Sequence, residues 1–165
     1  RNLQERLPQK RTQVLVMPVS LNSFLQNHKS VYIDTSVFIY FVEKNAGYHK
    51  ICESIFENIE TGAIKASTST LTLLEVLVTP YKLKRDDLVL SFYSLFSTYP
   101  NISWINLTLG ISDLAAKLRA EHGLKTPDAI QAASAISYGA KGFICNDRAF
   151  QKIKDIDCLV IDDCV

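Results

Sequence analysis

Four acidic residues stand where a short apolar run gives way to a helical segment, or inside such a segment. Asp34 closes Val31-Tyr32-Ile33, and Asp147 follows Phe143-Ile144-Cys145-Asn146. Asp128 lies just behind Thr126-Pro127, and Glu75 is embedded in Leu71-Thr72-Leu73-Leu74-Glu75-Val76-Leu77-Val78. Carboxylates in such places cap helices, contributing about 0.5–2 kcal/mol, or complement the positive end of the helix dipole. Gathered in space, they hold a hard cation or move protons. Asp34, Asp147 and Asp128 fit either role when taken singly. Glu75 fits the local role poorly, because a helix this apolar is expected to be buried round most of its circumference. An unpaired buried carboxylate is costly, and no basic residue lies within one helical turn of Glu75. A cation or a hydrogen-bonding network is therefore expected beside it, and an external cation is the simpler partner.

The elements that must position these acids alternate between strand and helix. Val31–Ile33 reads as a strand, followed by a helical segment at 37–42. Residues 47–59 read as an amphipathic helix with Ile51, Ile55 and Ile59 in one stripe, ended by Gly62. A strand at 64–67 follows, then a helix capped by Ser69 or Thr70 that runs to Val78 and is stopped by Pro80. Residues 86–99 predict another helix, with Leu88, Phe92, Leu95 and Phe96 on one face. Next come a strand at 102–107, a helix at 112–122 ended by Gly123, and a helix to Tyr138 with Thr126 as its cap. A buried strand at 142–145, a short helix at 147–153 and a strand at 158–161 complete the pattern. Such alternation predicts a three-layer α/β/α sandwich with a mainly parallel central sheet and right-handed crossovers. In an open sheet of this kind, ligands collect outside the carboxyl ends of the strands, where Asp34 and Asp147 stand.

Residues 1–29 differ from the rest. They hold a basic and amide-rich opening, a strand-like run at 14–19 and possible helical spacing at 20–26, and read as an N-terminal extension to a single domain at 30–165. The 165 residues suffice for one core, with 47% hydrophobic and 21% charged residues, which argues against a disordered chain. A net charge of +1 neither requires nor excludes a nucleic-acid partner. No apolar run is long enough to span a bilayer and no signal-peptide pattern is present, so a cytoplasmic protein is expected. Cys52, Cys145, Cys158 and Cys164 lack zinc-ligand spacing and read as reduced structural thiols. His28, His49 and His122 read as surface residues.

Four segments carry a resemblance: Val31-Tyr32-Ile33-Asp34-Thr35-Ser36, Thr72-Leu73-Leu74-Glu75-Val76, Lys125-Thr126-Pro127-Asp128-Ala129-Ile130-Gln131-Ala132-Ala133 and Cys145-Asn146-Asp147-Arg148-Ala149-Phe150. In this order they resemble the successive acidic motifs of PIN-domain nucleases over about residues 30–162, and most closely those of VapC-like toxins of toxin–antitoxin systems. The resemblance implies that Asp34, Glu75, Asp128 and Asp147 are catalytic, metal-binding acids, with Thr35 or Ser36 supporting them by hydrogen bonds. It further implies homodimerisation and a small antitoxin whose segment packs into an apolar groove. Tyr40, Phe41 and Tyr48 are candidates for that groove or else belong to the core. Cys145 departs from the pattern, since many relatives carry Thr or Ser there.

Four converging acids cannot all stay ionised uncompensated, and hard carboxylate oxygens suit Mg²⁺ or Mn²⁺. The expected activity is endonucleolytic hydrolysis of RNA, with Asp34, Asp128 and Asp147 as principal ligands and Glu75 as a further ligand or water-orienting base. Lys82, Lys84, Arg85, Lys125 and Arg148 are the candidates for drawing RNA to an acidic site. Two alternatives remain. One is a non-catalytic PIN-like module that binds RNA or protein. The other is a haloacid-dehalogenase-like phosphatase, disfavoured because the position two residues after Asp34 is Ser36 and not an acid.

Overall fold

The computed structural model describes residues 19–165, so the strand-like run expected at 14–19 falls, except for its last residue, outside the described residues. Five strands, β1 (Ser30–Ile33), β2 (Lys65–Ser69), β3 (Ile102–Ile105), β4 (Gly142–Cys145) and β5 (Asp157–Val160), form one sheet. Every pairing is parallel and the order is β3-β2-β1-β4-β5. Seven α-helices are described: α1 (Val19–Asn27), α2 (Thr35–Val42), α3 (His49–Glu60), α4 (Thr70–Lys82), α5 (Asp86–Thr98), α6 (Leu109–His122) and α7 (Thr126–Tyr138). Short 3-10 turns at Arg148–Lys152 and Ile161–Cys164 follow β4 and β5. The expected α/β/α sandwich is thus observed. Among the described residues no helix is long and apolar enough to cross a membrane.

The two faces of the sheet explain its apolar strands. Successive side chains of a strand point to opposite faces, and along β1 Val31 and Ile33 enter one core while Tyr32 enters the other. In β4, Ile144 joins the first core, and Phe143 and Cys145 join the second. The first core is completed by α1 to α5, where Phe38 packs edge-on against Phe56 and Phe96 at 5.5 and 5.4 Å. The second is built from the small residues of α7, the inner face of α6 and Phe150, with Phe143 stacked on Tyr32 at 5.1 Å. A strand covered on both sides must be apolar throughout, as Val31-Tyr32-Ile33 is.

Helix boundaries depart from the sequence reading in two instructive places. Pro80 lies inside α4 and does not stop it. Its missing N–H and its ring affect only the last turn, where the buried ring packs into the core and Leu83 N still donates to Thr79 O at 2.9 Å. Lys125, not Thr126, is the N-cap residue of α7, because its carbonyl accepts Ala129 N–H at 2.9 Å and closes the first turn one residue earlier. Ser69 caps α4 by accepting from Leu71 N, and Gly123 ends α6 in the left-handed region at φ 68°.

α1 lies close on the sheet, contributing Leu21, Phe24 and Leu25 to the core. That approach depends on Gly142: a Cβ there would meet His28 Cβ and Cγ at 2.9 Å and Phe24 Cζ at 3.1 Å. Gly142→Ala is expected to destabilise the fold by about 1–3 kcal/mol through overpacking. Urea denaturation measures this, and an unchanged midpoint would show that α1 shifts without cost.

Candidate active site

β1 and β4 are parallel neighbours, with Ile33 opposite Ile144, and Asp34 N–H donates to Ile144 O at 3.0 Å. Asp34 and Asp147 therefore leave the sheet from the same edge. Asp34 caps α2, its Oδ2 accepting from Ser36 N at 3.2 Å and Ser36 Oγ at 2.8 Å. Asp147 caps the following 3-10 turn by accepting from Ala149 N at 2.8 Å. Both acids thus perform the local capping role that their positions suggested. The Cys145 thiol, in place of a hydroxyl, lies 3.3 Å from the Asp147 carbonyl and from Cys158 Sγ.

α4 carries Glu75 back over this edge, half-buried, and supplies its partners from within the protein. Thr35 Oγ1 donates to Glu75 Oε2 at 2.6 Å, and Gln131 Nε2 donates to the same oxygen at 2.8 Å. The hydrogen-bonding network expected for Glu75 as one alternative is thus present, built from a hydroxyl and an amide on sequence-distant elements. Gln131 was not singled out by the sequence reading, although an amide among Ala129, Ala132, Ala133 and Ala135 on a buried helix face was the available signal. Asp128 stands one turn before Gln131 on α7, in the helix's first turn.

The charges of the four acids reach one another. Burial pushes the Asp34 carboxyl up to about 6; hydrogen bonds from Ser36 oppose the rise and the charge of Glu75 adds to it. Asp128 is also raised, by burial first, then by Asp147, with Lys125 opposing and Glu75 adding. Asp34 feels Glu75, Glu75 is felt by Asp128, and Asp128 feels Asp147. Yet among the described residues no three His, Cys, Asp or Glu side chains are gathered as a ready metal cage. The donors are all hard oxygens and the local charge is anionic, which fits Mg²⁺ or Mn²⁺ retaining several waters better than a closed all-protein site.

The basic candidates are exposed and divide into two sets. Arg85 is forked onto Asp87 at 2.8 and 2.6 Å, and Arg148 onto Asp163 at 3.0 and 2.7 Å. Lys82, Lys84 and Lys125 make no salt bridge among the described residues, and Lys125 acts on Asp128 through its charge. The histidines are not simple surface residues: all three are partly buried, and His28 pairs with Asp157 at 2.7 Å. Tyr40 and Tyr48 stack at 4.6 Å and Phe41 stacks on Phe56 at 4.2 Å, all three packed against the core.

Residues 31–156 match the family model for the PIN domain. The chain belongs to the PIN-domain family. A comparison with curated proteins gives no match. Among solved structures, this PIN-domain protein is similar to a chain of the DNA-bound VapBC complex from Salmonella typhimurium, with 21% identity and a TM-score of 0.64 over 80% of this chain and 98% of that one. It is also similar to a chain of VapBC2 from Rickettsia felis bound to a promoter DNA fragment, with 17% identity and a TM-score of 0.61 over 79% and 98%. A chain of a toxin–antitoxin complex from Klebsiella pneumoniae gives 21% identity and a TM-score of 0.58 over 79% and 97%. At these identities the likeness is one of fold.

The raised Asp34 carboxyl makes a stability prediction for the metal-free protein. Its folded pKa lies above the unfolded value, so its stabilising contribution is full below about pH 4 and is lost as pH rises through about 6. Asparagine caps helices as well as aspartate does. Asp34→Asn in EDTA is therefore expected to be more stable than wild type at pH 7.5, by on the order of 2 kcal/mol, with the gap closing below pH 4. Denaturant titrations at the two pH values check this, and a gap independent of pH would contradict it.

Proposed function

We propose that this PIN-domain protein is a metal-dependent endoribonuclease, and specifically a VapC-like toxin. The reading rests above all on the carboxylates of Asp34, Glu75, Asp128 and Asp147 at one edge of the parallel sheet, where the charge of Glu75 raises Asp34 and the charges of Asp147 and Glu75 raise Asp128. Asp34, Asp128 and Asp147 would hold Mg²⁺ or Mn²⁺, with Glu75 as a further ligand or water-orienting base. The bound ion would supply Lewis acidity for hydrolysis of a phosphodiester. Asp34 and Asp147 are fixed by their capping bonds, and Thr35 fixes Glu75, so the protein's own part is to hold its oxygens still before substrate arrives.

RNA must approach an anionic edge, and the exposed lysines Lys82, Lys84 and Lys125, which make no salt bridge among the described residues, can meet phosphates. Arg85 and Arg148 can join them, since exposed ion pairs are worth only about 0–1 kcal/mol and exchange readily for a phosphate. Replacing the three lysines by alanine is expected to weaken RNA binding and to flatten the slope of log K against log salt by about 2, at about 0.7 per lost single-strand phosphate contact.

The partners belong to the same proposal. The toxin reading brings a small antitoxin, and a groove of about 450 Å³ with Phe41, Val42, Leu95 and Tyr99 beside the polar Lys44 and Glu53 offers an amphipathic segment a place. It also brings a homodimer. Leu74, Val78 and Tyr81 of α4 and Leu90 of α5 are each more than half exposed, apolar surface that a second copy could cover.

A non-catalytic PIN-like binding module is the second reading, favoured by the acids' not closing into a metal cage. Incubating a structured RNA pool with wild type in Mg²⁺, Mn²⁺ or EDTA separates the two. Cleavage is expected with metal only, and is expected to fall by roughly 100-fold or more in Asp34→Asn and Asp128→Asn, since even outer partners of a metal site cost about 10–100-fold. RNA binding by folded wild type without cleavage in either metal would select the binding module.

A further inference from the structure

Gln131 is 1% exposed on a helix whose other buried residues are four alanines and Ser134. A buried amide there is costly unless its donors and acceptor are used, and an apolar side chain would pack at no such cost. Both ends of the amide are hydrogen-bonded. Nε2 donates to Glu75 Oε2 and to Thr35 Oγ1, each at 2.8 Å, with Thr72 Oγ1 at 3.3 Å, and Oε1 accepts from Tyr32 OH.

The direction of the network is set from one end. Ser69 N–H, at the cap of α4, donates to Tyr32 OH at 2.9 Å, so the single phenolic proton is free to go to Gln131 Oε1. That leaves Nε2 facing Thr35 and Glu75. The flipped amide would set its carbonyl against the Glu75 carboxylate and strand two acceptors together. Thr35 Oγ1 accepts from Gln131 and passes its own proton to Glu75 Oε2. Both protein donors thus land on Oε2, and among the described residues no donor reaches Oε1.

We infer that Gln131 is a positioning residue: with Thr35 it clamps Glu75 by Oε2 and leaves Oε1 as the one oxygen available to a cation or a water. Glu75 then acts through a single oxygen and not as a bidentate ligand. The same amide ties together β1 through Tyr32, the start of α2 through Thr35, and α4 through Thr72 and Glu75. It thereby holds the elements bearing Asp34 and Glu75 to the helix bearing Asp128. Its functional consequence rests on the metal-dependent reading above; the clamp itself does not.

The clamp is tested first without metal, by the side-chain amide resonance of Gln131 in ¹⁵N-labelled protein. It is expected to exchange slowly with water and to shift in Glu75→Gln. A fast-exchanging amide indifferent to Glu75→Gln would overturn the clamp whatever the protein's activity. Mn²⁺ affinity and RNA cleavage then test its consequence in Gln131→Met, which keeps the length but loses the donor. Tyr32→Phe provides a second variant, which releases the amide's orientation while keeping its donors and also unpairs the Ser69 N–H. Each folded variant is expected to lose about 10–100-fold in Mn²⁺ affinity or kcat with KM for RNA unchanged, and Gln131→Met is expected to add little in a Glu75→Gln background. Wild-type Mn²⁺ affinity and kcat in both folded variants, or losses that simply add, would refute the positioning role. A wild type that neither binds Mn²⁺ nor cuts RNA would instead refute the metal-dependent reading, and with it any role for the clamp in catalysis.

Discussion

Negative charge held at a half-buried sheet edge is the constraint around which the rest of this molecule is arranged. Glu75 raises both Asp34 and Asp128 there, Asp147 adds to the rise of Asp128, and among the described residues the basic side chain that opposes it is Lys125. The repulsion is managed without burying counter-ions. Asp34 and Asp147 rest on helix-terminal N–H groups, Glu75 rests on a hydroxyl and an amide, and Asp128 sits in the first turn of α7. Each device removes part of the penalty and none neutralises it, as the elevated Asp34 carboxyl records.

Such a site needs a frame that does not yield. Parallel strands with an apolar core on each face provide it, since large buried aliphatic and aromatic side chains each contribute about 1.5–3 kcal/mol. Val31, Tyr32 and Ile33 serve both cores immediately before Asp34, and Phe143, Ile144 and Cys145 do the same just before Asp147. The residues that anchor the sheet most firmly are thus those from which two of the acids project. The polar network around Gln131 ties the strands to α4 and α7, adding directional bonds to their apolar packing.

The alternation of strand and helix was legible because it is local: strand residues repeat at a period of two, and Gly123 and Ser69 mark their helix ends through their own backbone and side-chain chemistry. Local signals also misled. Proline ordinarily stops a helix, but Pro80 falls in a last turn held by tertiary packing, and Glu75 had no basic neighbour in its own helix because its partners lie 40 and 56 residues away. His28 likewise finds its ion-pair partner in Asp157, 129 residues distant, and packs close to Gly142 of β4.

The sequence by itself determined which residue types stand at the strand ends, since backbone propensity and apolar periodicity are properties of neighbouring residues. It determined too that the acids occur in an order resembling the PIN family's. Only the tertiary structure decided that the sheet runs β3-β2-β1-β4-β5, that Asp34 and Asp147 leave it from adjacent strands, and that Gln131 closes on Glu75. Those facts depend on contacts between residues far apart in the chain, and a hydrogen bond across such a separation leaves no periodicity to read.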